Sequence, residues 1–259
     1  MQRLNAYRNL CGAPSDVVLD GEQTYYAQAA TVLLKKINRL DHTPANPGMP
    51  EDEYNDGFTG TSSSNLHQGQ KDLAASVDGY MNDSDESNIA QVGHRRWCLN
   101  IWQQTTGFGR TDGFCAMWSF DKRRRGAVNW QFIAYPASGY IPVDYFSARH
   151  AWSISLNRSL FQRPTEACKA TIFPIDEEFN RGEPLPLDFE NYNVDDNVGS
   201  GYTVIIRPRE LDMSVGRRYL VELEGIADRQ RKPTTLRYLV EFAEIKPIPP
   251  DAQKSESKK

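Results

Sequence analysis

The chain has 259 residues, 39% hydrophobic and 11% aromatic, with 34 acidic residues against 30 basic ones and a formal net charge of −4. That apolar content excludes global disorder, and the even mixture of charges gives no reason to expect nucleic acid or an anionic membrane as the partner. No run approaches the ~20 apolar residues of a membrane-spanning helix, and of the one or two domains that this length allows we take two.

In chain order, the first half reads as helices. Leu4, Tyr7, Leu10 and Cys11 recur at helical spacing, and the opening "MQRLNAYRNL" is read as this helix rather than as a leader peptide. A second helix is expected after Asp20, a plausible N-cap with Gln23 three positions on, and Tyr25, Ala29, Leu33, Ile37 and Leu40 form its core stripe. "HTPANPGMPEDEYNDGFTGTSSSN" is expected to be a long irregular loop of the kind that carries function. Leu73, Val77, Tyr80 and Met81 mark a third helix, and His94 to Leu99 belongs to a fourth. In "QTTGFGRTDGFCAMWSFD" the Asp112-Gly113 pair is a hairpin signal between two short strands.

The basic run Lys122 to Arg125 reads as a solvated linker, and the domain boundary is placed near residues 122 to 130. Beyond it the pattern alternates. Trp152, Ile154 and Leu156 share one side of a strand, as do Tyr219, Val221 and Leu223, and then Leu236, Tyr238, Val240 and Phe242. With "ACKATIFPI" and "YTVIIRP" these strands argue for a β-sandwich. The tail "PIPPDAQKSESKK" is expected to be disordered.

Cys11, Cys98, Cys115 and Cys168 form no C-x-x-C pair, which excludes zinc-ribbon and thioredoxin readings; two disulfides in any of three pairings, or four buried thiols, both remain open. There is no H-E-x-x-H helix, no G-x-S-x-G elbow and no G-x-G-x-x-G loop. Of the four histidines, His42, His67 and His94 fall in or beside the long loop and its flanking helices. A histidine is a natural general base or zinc ligand near neutral pH, but near a helix end it is more often a hydrogen-bonded packing residue.

Taken in order, "LNAYR", "VVLD" with "AQAA", "DHTP", "AASVDGYMND" and "VGHRRWCLN" before "GFG" resemble the CAP superfamily of cysteine-rich secretory, antigen 5 and pathogenesis-related proteins, over about residues 3 to 120. The resemblance implies an α+β fold class: an α-β-α sandwich over residues 1–126, then an immunoglobulin-like all-β sandwich over 127–248, with the disordered tail at 249–259. It also implies a central cleft lined by two histidines and two acids, with a divalent ion such as zinc as cofactor in some members. Carried over by position, His42 and His94 match the histidines, and Asp83 matches one glutamate, a methylene shorter. Ser64 stands where the second glutamate is found, a departure that weakens a metal site, and His67 three positions on is a substitute. The implied metal set is therefore His42, His94 and Asp83, within a cleft of His42, Ser64, His67, Asp83 and His94.

With no confident nucleophile, the expected function is a non-catalytic, secreted or envelope-associated module that binds a small molecule, lipid or cell-envelope component. The alternatives are a divalent-metal-dependent hydrolase using the same cleft, and a structural surface module whose cleft is a relic.

Overall fold

The computed structural model describes residues 1–121, 123–194 and 197–245. The expected disorder of residues 247–259 and the Lys122 end of the basic run lie outside them. Among the described residues no helix is long and apolar enough to cross a membrane.

The first half contains α1 (Gln2–Leu10), β1 (Val18–Leu19), α2 (Gly21–Ile37), α3 (Glu51–Ser63), β2 (Ser64–Gln68), α4 (Leu73–Asn82), α5 (Gly93–Cys98), β3 (Thr105–Thr106), β4 (Phe108–Thr111) and β5 (Phe114–Trp118). β2, β5 and β4 form an antiparallel sheet in that order, and β1 pairs with β3 in parallel. At the expected hairpin Asp112 and Gly113 both take positive φ, which lets β4 fold directly back into β5.

The second half contains β6 (Phe132–Tyr135), β7 (Gly139–Pro142), a 3-10 turn (Val143–Tyr145), β8 (Trp152–Asn157), β9 (Lys169–Ile175), β10 (Leu187–Asn191), β11 (Gly201–Pro208), β12 (Arg218–Ala227) and β13 (Pro233–Ala243). Two four-stranded sheets result, β10-β11-β8-β6 and β7-β13-β12-β9, with β7 parallel to β13. Their alternating apolar faces meet: Trp152 of β8 packs edge-on against Tyr219 of β12, and Phe132 of β6 against Tyr238 of β13.

The expected fold class is corrected by this architecture. The described residues are mostly β, with four sheets and 31% strand against 24% helix, and the α-β-α sandwich expected for residues 1–126 is not shown. Apolar periodicity located helices but not their weight: α1, α4 and α5 have only 9, 10 and 6 residues. One hydrophobic cluster runs through both halves, joining Leu4, Tyr7 and Val77 to Trp152, Val221 and Phe242.

Two local expectations also need correction. The long "loop" contains α3, which starts after Pro50 with Glu51, Asp52 and Glu53 in its first turn, where carboxylates favour the positive end of the helix dipole. Its glycines are contact residues for α2: a Cβ on Gly60 would lie 1.9 Å from the Tyr26 carbonyl oxygen, and one on Gly57 2.9 Å from Leu33 Cβ. α2 is accordingly covered by α3 as well as by β4 and β5. Its buried residues are Gln23, Ala27, Ala30, Thr31, Leu33 and Leu34, whereas Tyr25 and Leu40 of the expected stripe are exposed. The expected cap is present, since Asp20 accepts a hydrogen bond from the Gln23 amide at 3.0 Å. All four cysteines are buried free thiols.

Candidate functional site

α4 ends on Asp83, held in the left-handed region at φ 44°, and this turn aims its carboxylate at the start of α5. Asp83 Oδ2 accepts the His94 amide at 2.8 Å and the Arg95 amide at 3.3 Å, so the carboxylate caps a helix that has no side-chain cap of its own. Asp83 Oδ1 lies 2.7 Å from His94 Nδ1. A carboxylate accepts, so Nδ1 carries the hydrogen and the Nε2 edge of the ring is left for the cleft. Tyr80 stacks on the imidazole at 5.9 Å and 24°, and Asn65 donates to the His94 carbonyl at 2.9 Å.

His42 is exposed on the opposite wall, its Nδ1 2.9 Å from the Thr61 carbonyl oxygen at the end of α3. That contact makes Nδ1 the donor and Nε2 the free acceptor. Ser64, the first residue of β2, is buried, and its Oγ has no hydrogen-bond partner. His67 keeps Nδ1 2.8 Å from the Gln68 carbonyl oxygen and lies edge-on to Tyr80.

Two adjoining hollows of about 370 and 360 Å³ share His42, Ser87, Asn88 and His94. Ser64 lines the first, and His67 and Asp83 line the second. All five residues named from the sequence therefore border one continuous depression. Sequence reasoning missed Tyr80, which it counted only as core, and Asn65, whose position beside Ser64 was the available signal. A larger, mostly apolar hollow of about 710 Å³ lies by α1 and α4 and carries no histidine.

The implied zinc does not fit these side chains. Both Asp83 oxygens are committed to N–H groups of α5, which leaves two imidazoles where a catalytic zinc site needs three protein donors. Among the described residues no group of three or more His, Cys, Asp or Glu is placed to hold a metal ion.

Two histidines titrate in opposite senses. Burial lowers the His94 pKa, but the Asp83 hydrogen bond and charge, helped by Asp85, raise it on balance above its ordinary 6.5. His94 thus contributes stability that is fully present below 6.5 and disappears as pH rises through its higher folded-state value. His150, enclosed by Tyr135 and Phe146, is pushed down to about 3 by burial, with the Arg95 charge adding to the effect. Its contribution is present above 6.5 and is lost as pH falls toward 3. Urea unfolding at pH 5 and pH 8 should therefore show His94→Asn costing more at pH 5 than at pH 8, and His150→Phe gaining relative stability at pH 5. An identical effect of either change at both pH values would refute its assignment.

Compared with protein-family models and with curated proteins, the chain matches none.

Proposed function

We propose that this is a non-catalytic, secreted or envelope-associated binding protein whose histidine cleft holds a small polar molecule or the polar head of a lipid or cell-envelope component. The carrying observation is the convergence of His42, Ser64 and His94 on one hollow, with the Ser64 hydroxyl buried and unpartnered. An unpaired buried hydroxyl costs free energy unless a ligand or water satisfies it. When protonated, His94 presents a positively charged Nε2–H toward the cleft, and His42 supplies an acceptor. That pairing suits a ligand with both an anionic or acceptor group and a hydroxyl.

The metal-dependent hydrolase receives no support from the donor set described above. Calorimetric titration with glycerol phosphate and phosphocholine tests the binding reading. Saturable binding is expected to tighten as pH falls through the raised His94 pKa, above 6.5, and to weaken about tenfold in His94→Ala, the effect of losing one charge-assisted hydrogen bond. Zinc titrated into the same protein is expected to show no saturable site that His94→Ala removes. Neither phosphate ester binding, or binding indifferent to His94→Ala, would overturn the reading.

A further inference from the structure

A second hollow of about 370 Å³, within the size range of small-molecule sites, opens between the first turns of α2 and the end of β5. Tyr26 and Trp118 form its floor with ring centroids 5.9 Å apart and planes 32° apart. Rings this close already touch, so no flat ligand inserts between them, and they present one joined apolar surface. Phe120, 53% exposed, forms the rim and leans on Trp97 at 4.8 Å.

Two polar atoms on these walls lack partners. Gln23 is only 4% exposed and its Oε1 has no hydrogen bond; the Trp118 indole Nε1 is buried and equally unpaired. Gln23 thus brings an unpaired amide oxygen and Trp118 an unpaired indole N–H to the same hollow. A purely anionic ligand group satisfies the indole and is repelled by the amide oxygen, and a cation does the reverse. A hydroxyl serves both, because it donates and accepts.

Among the described residues that line the hollow, Glu22 and Asp121 stand against Arg123 and Arg125 in equal number. Arg123 is held by Asp20 at 2.6 Å and Asp121 at 3.6 Å, and the other Asp121 oxygen accepts the Gln104 and Thr105 amides at 2.7 and 2.8 Å. That leaves one carboxylate, Glu22, and one guanidinium, Arg125, at the mouth. A neutral ligand with many hydroxyls and an apolar face matches an aromatic floor, a paired donor and acceptor, and balanced flanking charges.

We propose that this hollow, walled by Gln23, Tyr26, Trp118 and Arg125, binds a neutral saccharide unit, with the carbon face of the sugar on the two rings and its hydroxyls on Gln23 and Trp118. The site stands on its own residues and does not rest on the reading of the histidine cleft. Phe120 also borders that cleft, so an oligosaccharide leaving the hollow runs past this ring.

Titration calorimetry and tryptophan fluorescence on the full chain, with hexasaccharides of β-linked glucose, N-acetylglucosamine and mannose as probes, test the proposal. At least one is expected to bind saturably, with the dissociation constant raised about tenfold by Gln23→Met and by Trp118→Phe, each of which removes one hydrogen bond and keeps bulk. Arg125→Gln, at an exposed position, keeps the test open should a buried change impair folding, and is expected to weaken binding several-fold. His94→Ala is expected to leave it unchanged. The proposal is overturned if none of the three probes binds, if adenosine binds here in their place, or if binding responds to His94→Ala and not to the variants of this hollow. That last outcome would leave the histidine cleft standing on its own.

Discussion

Replacing Arg95 by methionine is expected to destabilise the protein by about 3 kcal/mol or more, because several buried acceptors lose their donor at once and each unsatisfied one costs about 1–3 kcal/mol. The guanidinium is completely buried, and among the described residues no carboxylate is hydrogen-bonded to it. It donates instead to the carbonyl oxygens of Met81 at 2.7 Å, Asn82 at 2.6 Å and Ala151 at 2.7 Å, and to the Ser84 and Ser153 hydroxyls at 3.2 Å each. Its flat face covers the Tyr135 ring at 4.7 Å. This one side chain therefore ties the C-terminal end of α4 to the start of β8. Methionine fills similar space but strands those carbonyls without a donor, and lysine, a point charge without the planar fork, is expected to recover only part of the loss. Urea denaturation with an unchanged m-value is the measurement; a loss below about 1 kcal/mol would mean that water replaces the guanidinium and that the joint is not built on it.

Gly60→Ala is expected to cost about 3 kcal/mol or more, at the upper end of overpacking effects, because the added methyl has nowhere to go. Its Cβ would meet the Tyr26 carbonyl oxygen at 1.9 Å and the Ala30 Cβ at 2.9 Å, backbone and methyl groups that cannot swing aside. α3 would have to lift from α2, and the rigid neighbours of both helices resist that. Gly48→Ala is the contrasting control: its site is open, so only the positive φ of 88° is strained, a cost of about 1 kcal/mol. Thermal unfolding of the two variants should rank them in that order, and an equal loss would show that α2 and α3 are loosely apposed.

Apolar periods, turn residues and the Asp20 cap were legible in the sequence, and most other bonds from side chains to backbone were not. Spacing found α1, α4 and α5, the Asp112-Gly113 hairpin and the alternating strands, because each leaves a period or a turn residue behind. His42, Ser64, His67, Asp83 and His94 were all named in advance, and all border the depression between α3, α4 and α5. α3 was missed because Gly57 and Gly60, which read as loop residues, are there for the close approach of α2. α2 was misphased because a helix covered on two sides has no single stripe. Arg95 donates to the main-chain oxygens of Met81, Asn82 and Ala151, and Arg96 donates to the Val198 carbonyl at 2.6 Å. Carbonyls are present at every position, so no pattern marks the ones a guanidinium will choose. The Asp20 cap was legible, with the Gln23 amide as its donor, but nothing in the sequence shows the Gln23 side-chain oxygen left unpaired.

The six residues of α5 send neighbouring side chains to different places: His94 faces the cleft, Arg95 reaches the start of β8, and Arg96 reaches the turn before β11. One carboxylate oxygen of Asp83 accepts the amides of both His94 and Arg95, so the same turn that orients the imidazole also seats the guanidinium against Ala151 and Ser153 at the start of β8.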